Sequence, residues 1–143
     1  MITMELALDQ WLDNPYFASI AFFSVAILAL IVFLFCFEFA VRYKTWDEIR
    51  NGNLAAAMAT GGKIFGICNL FRFSIESGDN LYQSMLWAAF GFVLLLAAYF
   101  VFEFLTPVFR IDDEIKRDNR AVGFIAMMIS VSLSYVIGAA VLS

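Results

Sequence analysis

Four apolar runs, each about as long as a helix that crosses a bilayer, constrain this chain more than any other feature of its sequence. A hydrocarbon core of about 30 Å takes roughly 20 residues of helix. The first run covers residues 15–41, with Glu38 as its only charge. Asp13-Asn14-Pro15 opens it, giving a capping acceptor and then a proline in the first turn, where a missing N–H costs nothing. The second run, from Leu54 to about Ile75, is less apolar and carries Lys63 and Arg72. The third covers residues 81–106, with Glu103 near its end and Pro107 as its stop, and the fourth, residues 121–143, has no charge. Soluble domains are about 25% charged, whereas this chain of 143 residues is 15% charged and 63% hydrophobic, more apolar surface than one soluble core can hide. The predicted class is an all-α membrane protein with four transmembrane helices. Residues 1–14 carry Glu5, Asp9 and Asp13 but no cation, unlike the basic leader of a cleaved signal peptide, so the first run is expected to be retained.

The runs come in two matching pairs. Phe37-Glu38-Phe39 and Phe102-Glu103-Phe104 each close an apolar run and lie 65 residues apart. Asp47-Glu48-Ile49-Arg50 with Asn53, and Asp113-Glu114-Ile115-Lys116 with Asn119, each precede the next run and lie 66 apart. This pattern predicts an acidic arm (1–14) followed by two two-helix repeats, 15–76 and 77–143. The first connector holds Arg42, Lys44 and Arg50, and the third holds Arg110, Lys116, Arg117 and Arg120. The arm and the middle connector, residues 77–80, hold no cation. Positive connectors stay in the cytoplasm, so both termini are expected outside and the hairpins parallel, related by an axis along the membrane normal. Trp11, Tyr16, Tyr82 and Trp87 fall where an outer aromatic belt belongs.

Charge inside the bilayer is the strongest functional signal. Lys63 stands ten residues beyond Asn53, roughly 15 Å along the helix. A cation at mid-membrane costs something like 3 kcal/mol on insertion scales, so Lys63 should face the protein interior. Helical side chains lean toward their own amino terminus, which directs Lys63 toward the level of Glu38 and Glu103. A Lys63–Glu38–Glu103 polar cluster is therefore expected, serving as a structural staple, as an ion or proton pathway, or as a contact for an anionic lipid or ligand. Arg72 and Glu76, spaced i,i+4 near the other end of that helix, read as an outer anchor pair. Asn53 and Asn119 are expected to cap the second and fourth spans, and those helix starts could also attract phosphate.

Small residues mark helix contacts. Ala55, Ala59, Gly62 and Gly66 form a stripe on the second span, and Ser130, Ser134 and Gly138 form one on the fourth. Residues of this size let backbones approach closely in lipid. The second span is expected to use its stripe as core and the fourth to present its stripe to a neighbouring copy. The phenylalanines are expected to be mostly lipid-facing. Cys36 and Cys68 lie inside apolar segments and read as packing residues. The chain has no histidine, which removes the commonest general base and metal ligand. No catalytic residue, metal site or cofactor is predicted.

Taken in order, these motifs resemble a known family. Asn51-Gly52-Asn53-Leu54-Ala55-Ala56-Ala57, then Gly61-Gly62-Lys63-Ile64-Phe65-Gly66, are similar to the small bacterial membrane proteins of the domain-of-unknown-function 350 family. So are Phe102-Glu103-Phe104-Leu105-Thr106-Pro107 and Asp118-Asn119-Arg120-Ala121-Val122-Gly123. The resemblance runs from about Phe22 onward and implies an inner-membrane protein of four spans. It brings no activity with it, only an association with envelope-stress genes. The expected function is a non-enzymatic membrane scaffold or complex subunit, embedded in the bilayer and oligomeric, without nucleic-acid partners. The competing expectation is an ion or proton conductor built on Lys63, Glu38 and Glu103.

Overall fold

The computed structural model describes residues 2–77, 80–105 and 110–142, and all of its regular structure is helical. Four long helices, α2 (Pro15–Ala40), α4 (Leu54–Ser77), α5 (Leu81–Leu105) and α7 (Arg120–Leu142), are long and apolar enough to span a membrane. Three shorter helices lie outside the spans: α1 (Ile2–Leu12) in the arm, and the six-residue α3 (Thr45–Arg50) and α6 (Ile111–Lys116) in the charged connectors. The expected stop at Thr106 and Pro107 falls outside the described residues, as does part of the middle connector.

Local chemistry sets the helix ends. Asn14 Oδ1 accepts the Tyr16 N–H at 3.0 Å, and Pro15 starts α2 with φ already suited to a helix. Each connector helix ends in the same turn. Gly52 N donates to Ile49 O and Asn53 N to Glu48 O, at 3.0 and 2.9 Å; Asp118 N donates to Ile115 O and Asn119 N to Glu114 O, both at 3.0 Å. This bonding closes a helix through one residue in the left-handed region, here Gly52 at φ 87° and Asp118 at φ 59°.

The least apolar span holds the centre. In α4, 61% of the most apolar window is buried, against no more than 22% in the other three spans. Lipid exerts no drive to hide apolar groups, so the helix with the most polar side chains is the one that neighbours enclose on several sides. Its most extensive contact is with α7. Ala55 meets Gly123, Gly62 meets Met127, and Gly66 meets Ser130, so the two helices run parallel with their backbones nearly touching. Asn69 Nδ2 donates to Ser134 Oγ at 3.0 Å further along. The stripe on the fourth span is thus occupied by α4 of the same chain, because the small residues of the two helices are in register with one another. That corrects the expectation of a stripe left for a second copy.

Helices α5 and α2 complete the packing. Phe37, Ile67, Leu70, Phe92, Leu95, Ile137 and Val141 form one core cluster, with the Phe33 and Phe92 rings stacked at 4.2 Å. A second cluster, at the connector end, joins Val41, Tyr43, Ala55, Ala56, Ala59, Ile111 and Ile115. Phe37, Phe71 and Phe92 are therefore core residues, while Phe17, Phe23, Phe35, Phe39, Phe65, Phe90, Phe100, Phe104 and Phe124 are exposed on the apolar exterior.

Candidate functional site

The connector end of the bundle gathers the polar side chains. Asn53 is buried there and makes two sets of bonds. Its Oδ1 accepts the Ala56 N–H at 2.9 Å, capping α4, and its Nδ2 donates to Ile115 O at 2.8 Å and to Glu48 Oε2 at 3.1 Å. Asp118 answers from the other connector, accepting the Ala55 N–H at 3.0 Å. One connector thus caps the helix that follows the other. Asn119 Oδ1 accepts the Val122 N–H at 3.4 Å, and its Nδ2 donates to Glu114 Oε2 at 2.9 Å.

Lys63 is only 5% exposed, held midway along α4. Its ammonium lies over two aromatic faces, 5.0 Å from the Phe37 ring centre and 5.3 Å from that of Tyr99. Ring quadrupoles attract a cation at this range, more strongly once water is excluded. A cavity of about 30 Å³ adjoins Lys63, walled by Phe37, Leu95, Tyr99, Phe102 and Ser130 among others. A second recess, of about 10 Å³, is lined by Glu38, Thr45, Thr60 and Lys63 among others.

The expected Lys63–Glu38–Glu103 cluster does not form. Among the described residues the ion pairs are Arg72–Glu76 at 3.5 Å, Arg117–Glu114 at 3.6 Å and Arg120–Asp118 at 3.8 Å, and Lys63 is in none of them. The glutamates are drawn elsewhere. Glu38 Oε1 accepts the Thr45 N–H at 3.1 Å, at the first residue of α3, where Lys44 provides no side-chain cap. Glu103 faces the start of α6, near the backbone of Ile111 and Asp112. Orphan amides at a helix start are strong sites for a carboxylate, and one of them holds Glu38 at the bundle's end. Arg72 and Glu76 do pair, on an exposed face.

Two residues that the motifs left unmarked stand at the centre of this end. Asp112 is only 2% exposed; it accepts the Arg42 N–H at 3.2 Å and the Tyr99 hydroxyl. Tyr43 is buried beside it, with no hydrogen-bond partner for its hydroxyl. Burial, and then the negative charge of Asp112, push the Tyr43 phenol far above its ordinary range. The repeat register itself flags Asp112: Asp47-Glu48 aligns with Asp113-Glu114, which leaves Asp112 as an acid opposite Trp46. No comparable signal marks Tyr43. Cys36 and Cys68 are free thiols, and among the described residues no His, Cys, Asp or Glu grouping could hold a metal ion.

Four apolar spans closed by helix-capping connectors define a multi-span α-helical membrane protein. The family described as Domain of Unknown Function (DUF350) matches residues 9–141, and the chain belongs to it. It is 54% identical over 133 residues to the UPF0719 transmembrane protein YshE of Bacillus subtilis (strain 168), an alignment that covers 93% of this chain and 98% of that protein. No solved structure matches the chain.

Proposed function

We propose that the protein is a non-enzymatic scaffold or complex subunit of the bacterial cytoplasmic membrane, made of two parallel hairpin repeats (15–76 and 77–143) behind an outer arm (1–14). One observation carries this: polar side chains gathered at the connector end are spent on joining helices. Glu38 caps α3, Asn53 and Asn119 cap α4 and α7, and Asp118 caps α4 from the opposite connector. Both connectors also end in matching turns 66 residues apart, which favours a duplicated unit. The seven cations of the first and third connectors favour a cytoplasmic position for them and outer positions for both termini. With the stripes of α4 and α7 facing each other, the exposed apolar faces of α2, α5 and α7 are left for a neighbouring copy or subunit, and a link to envelope maintenance is the role that suits such an assembly. Ion conduction along Lys63, Glu38 and Glu103 loses support because, among the described residues, Lys63 forms an ion pair with neither glutamate.

Crosslinking in native membranes tests the scaffold, with a discrete oligomer or a single partner expected. Crosslinking that returns only monomer, or ion flux through liposomes holding the purified protein, would overturn it. Topology is tested separately: a label on an amino-terminal tag should react in intact cells, and labels at residues 47–51 only after permeabilisation.

A further inference from the structure

We propose that the connector end of the bundle contains a built-in cation site, walled by the rings of Phe37 and Tyr99, countercharged by Asp112 and filled by the chain's own ammonium at Lys63. Two charges are buried here on different helices, Lys63 on α4 and Asp112 on α6. The neutral donors on Asp112, the Arg42 N–H and the Tyr99 hydroxyl, satisfy its oxygens without neutralising it. A buried carboxylate and a buried ammonium each carry a heavy desolvation cost unless an opposite charge compensates it. Tyr99 stands between the two, presenting its ring to Lys63 and its hydroxyl to Asp112. An ammonium on the ring face and a carboxylate on the hydroxyl polarise the same side chain in the same sense, so the three act as one unit. The cavity of about 30 Å³ that Lys63 and Tyr99 both line is large enough to hold a water, which would bring the ammonium's N–H groups into the same network.

The other charged and titratable groups around this point do not replace Asp112. Glu38 on α2 accepts the Thr45 N–H, and Glu103 on α5 faces the start of α6. Tyr43 in the first connector adds a hydroxyl and no charge. The repeat register supplies an independent observation. Shifted by 65 or 66 residues, Lys63 falls on Ile129, Tyr99 on Leu34 and Asp112 on Trp46. All three polar partners are present in one setting, and all three are apolar in the other. A cation, its ring and its countercharge that appear together and vanish together are one device.

The test is a double-mutant cycle on thermal unfolding of the purified protein in mild detergent. Lys63→Met and Asp112→Asn each strand one charge and lower the midpoint. Combined, they leave no stranded charge, and the double variant is expected to be destabilised less than the sum of the single effects, by about tenfold in the unfolding equilibrium constant. Lys63→Met with Glu38→Gln, which line one recess, should couple more weakly than Lys63→Met with Asp112→Asn, and Tyr99→Phe, which keeps the ring, should weaken the Lys63–Asp112 coupling. In a Lys63→Ala protein, propylammonium chloride should raise the midpoint more than sodium chloride does, and Asp112→Asn should remove that difference. Additive behaviour of Lys63→Met and Asp112→Asn, or equal effects of the two salts, overturns the site. If Lys63→Met cannot be recovered from membranes, recovery of the Lys63→Met/Asp112→Asn protein supports the site and failure to recover it overturns it.

Discussion

Neighbouring glycines at 61 and 62 should respond oppositely to the same substitution. A Cβ at Gly62 would lie 2.6 Å from Met127 Cα and 2.9 Å from Met127 O, both backbone atoms of α7. Ordinary contact begins near 3.4 Å, so α4 and α7 would have to part by about 0.8 Å, and a radial gap of that size forfeits a quarter to a half of the dispersion energy at the facing atoms. Overpacking of this kind costs about 1–3 kcal/mol, and the upper half of that range is expected because neither backbone can turn aside. Gly61 is exposed and has nothing within 4 Å of the same position. There alanine should gain up to about 1 kcal/mol from helix propensity alone. Thermal unfolding of Gly61→Ala and Gly62→Ala in one detergent measures the difference. Gly123→Ala, which would meet the Ala55 backbone at 2.6 Å, should behave like Gly62→Ala. It should add less than its own cost in combination, since both push the same two helices apart. If Gly61→Ala and Gly62→Ala melt together, the close approach of α4 and α7 is wrong.

Two further outcomes follow from the connector end. Tyr43→Phe should be neutral or slightly stabilising at pH 7, because it deletes a buried hydroxyl that has no partner. A phenol whose folded pKa is raised contributes stability that is intact below the unfolded value of about 10 and is lost above it, so the wild type should weaken as pH climbs past that point and Tyr43→Phe should weaken less, measured as unfolding midpoint against pH. Asn53→Ala should cost about 2–3 kcal/mol, combining a lost cap with a buried carbonyl left short of a donor, while Asn119→Ala should cost about 1 kcal/mol. Denaturant titration of the two variants would give the ranking.

The spans were legible in the sequence because a run of bilayer length admits few alternatives, and the Asn14-Pro15 pair marks the start of α2 to the residue. Burial of Lys63 was legible for a similar reason, since lipid leaves a mid-membrane cation few other places. Its surroundings were not. Side-chain direction pointed from Lys63 to the glutamates, but α3 and α6 are only six residues long, too short for a periodic pattern to reveal. Once those helices exist, the first amide of α3 takes Glu38, and α6 carries Asp112 into the bundle. The stripes on α4 and α7 were visible as stripes, while their mutual register depends on where the connectors set the two helix starts.

The central position of α4 also bears on how the protein is made. The segment with the weakest affinity for lipid reaches the membrane before α7, the helix that covers it, has been synthesised, with α5 emerging in between. Until α6 and α7 arrive, Lys63 and Asn69 lack Asp112 and Ser134. Nascent chains halted after α5 should therefore stay at the insertion site or be cleared by membrane proteases, and the order of translation becomes part of what this sequence encodes.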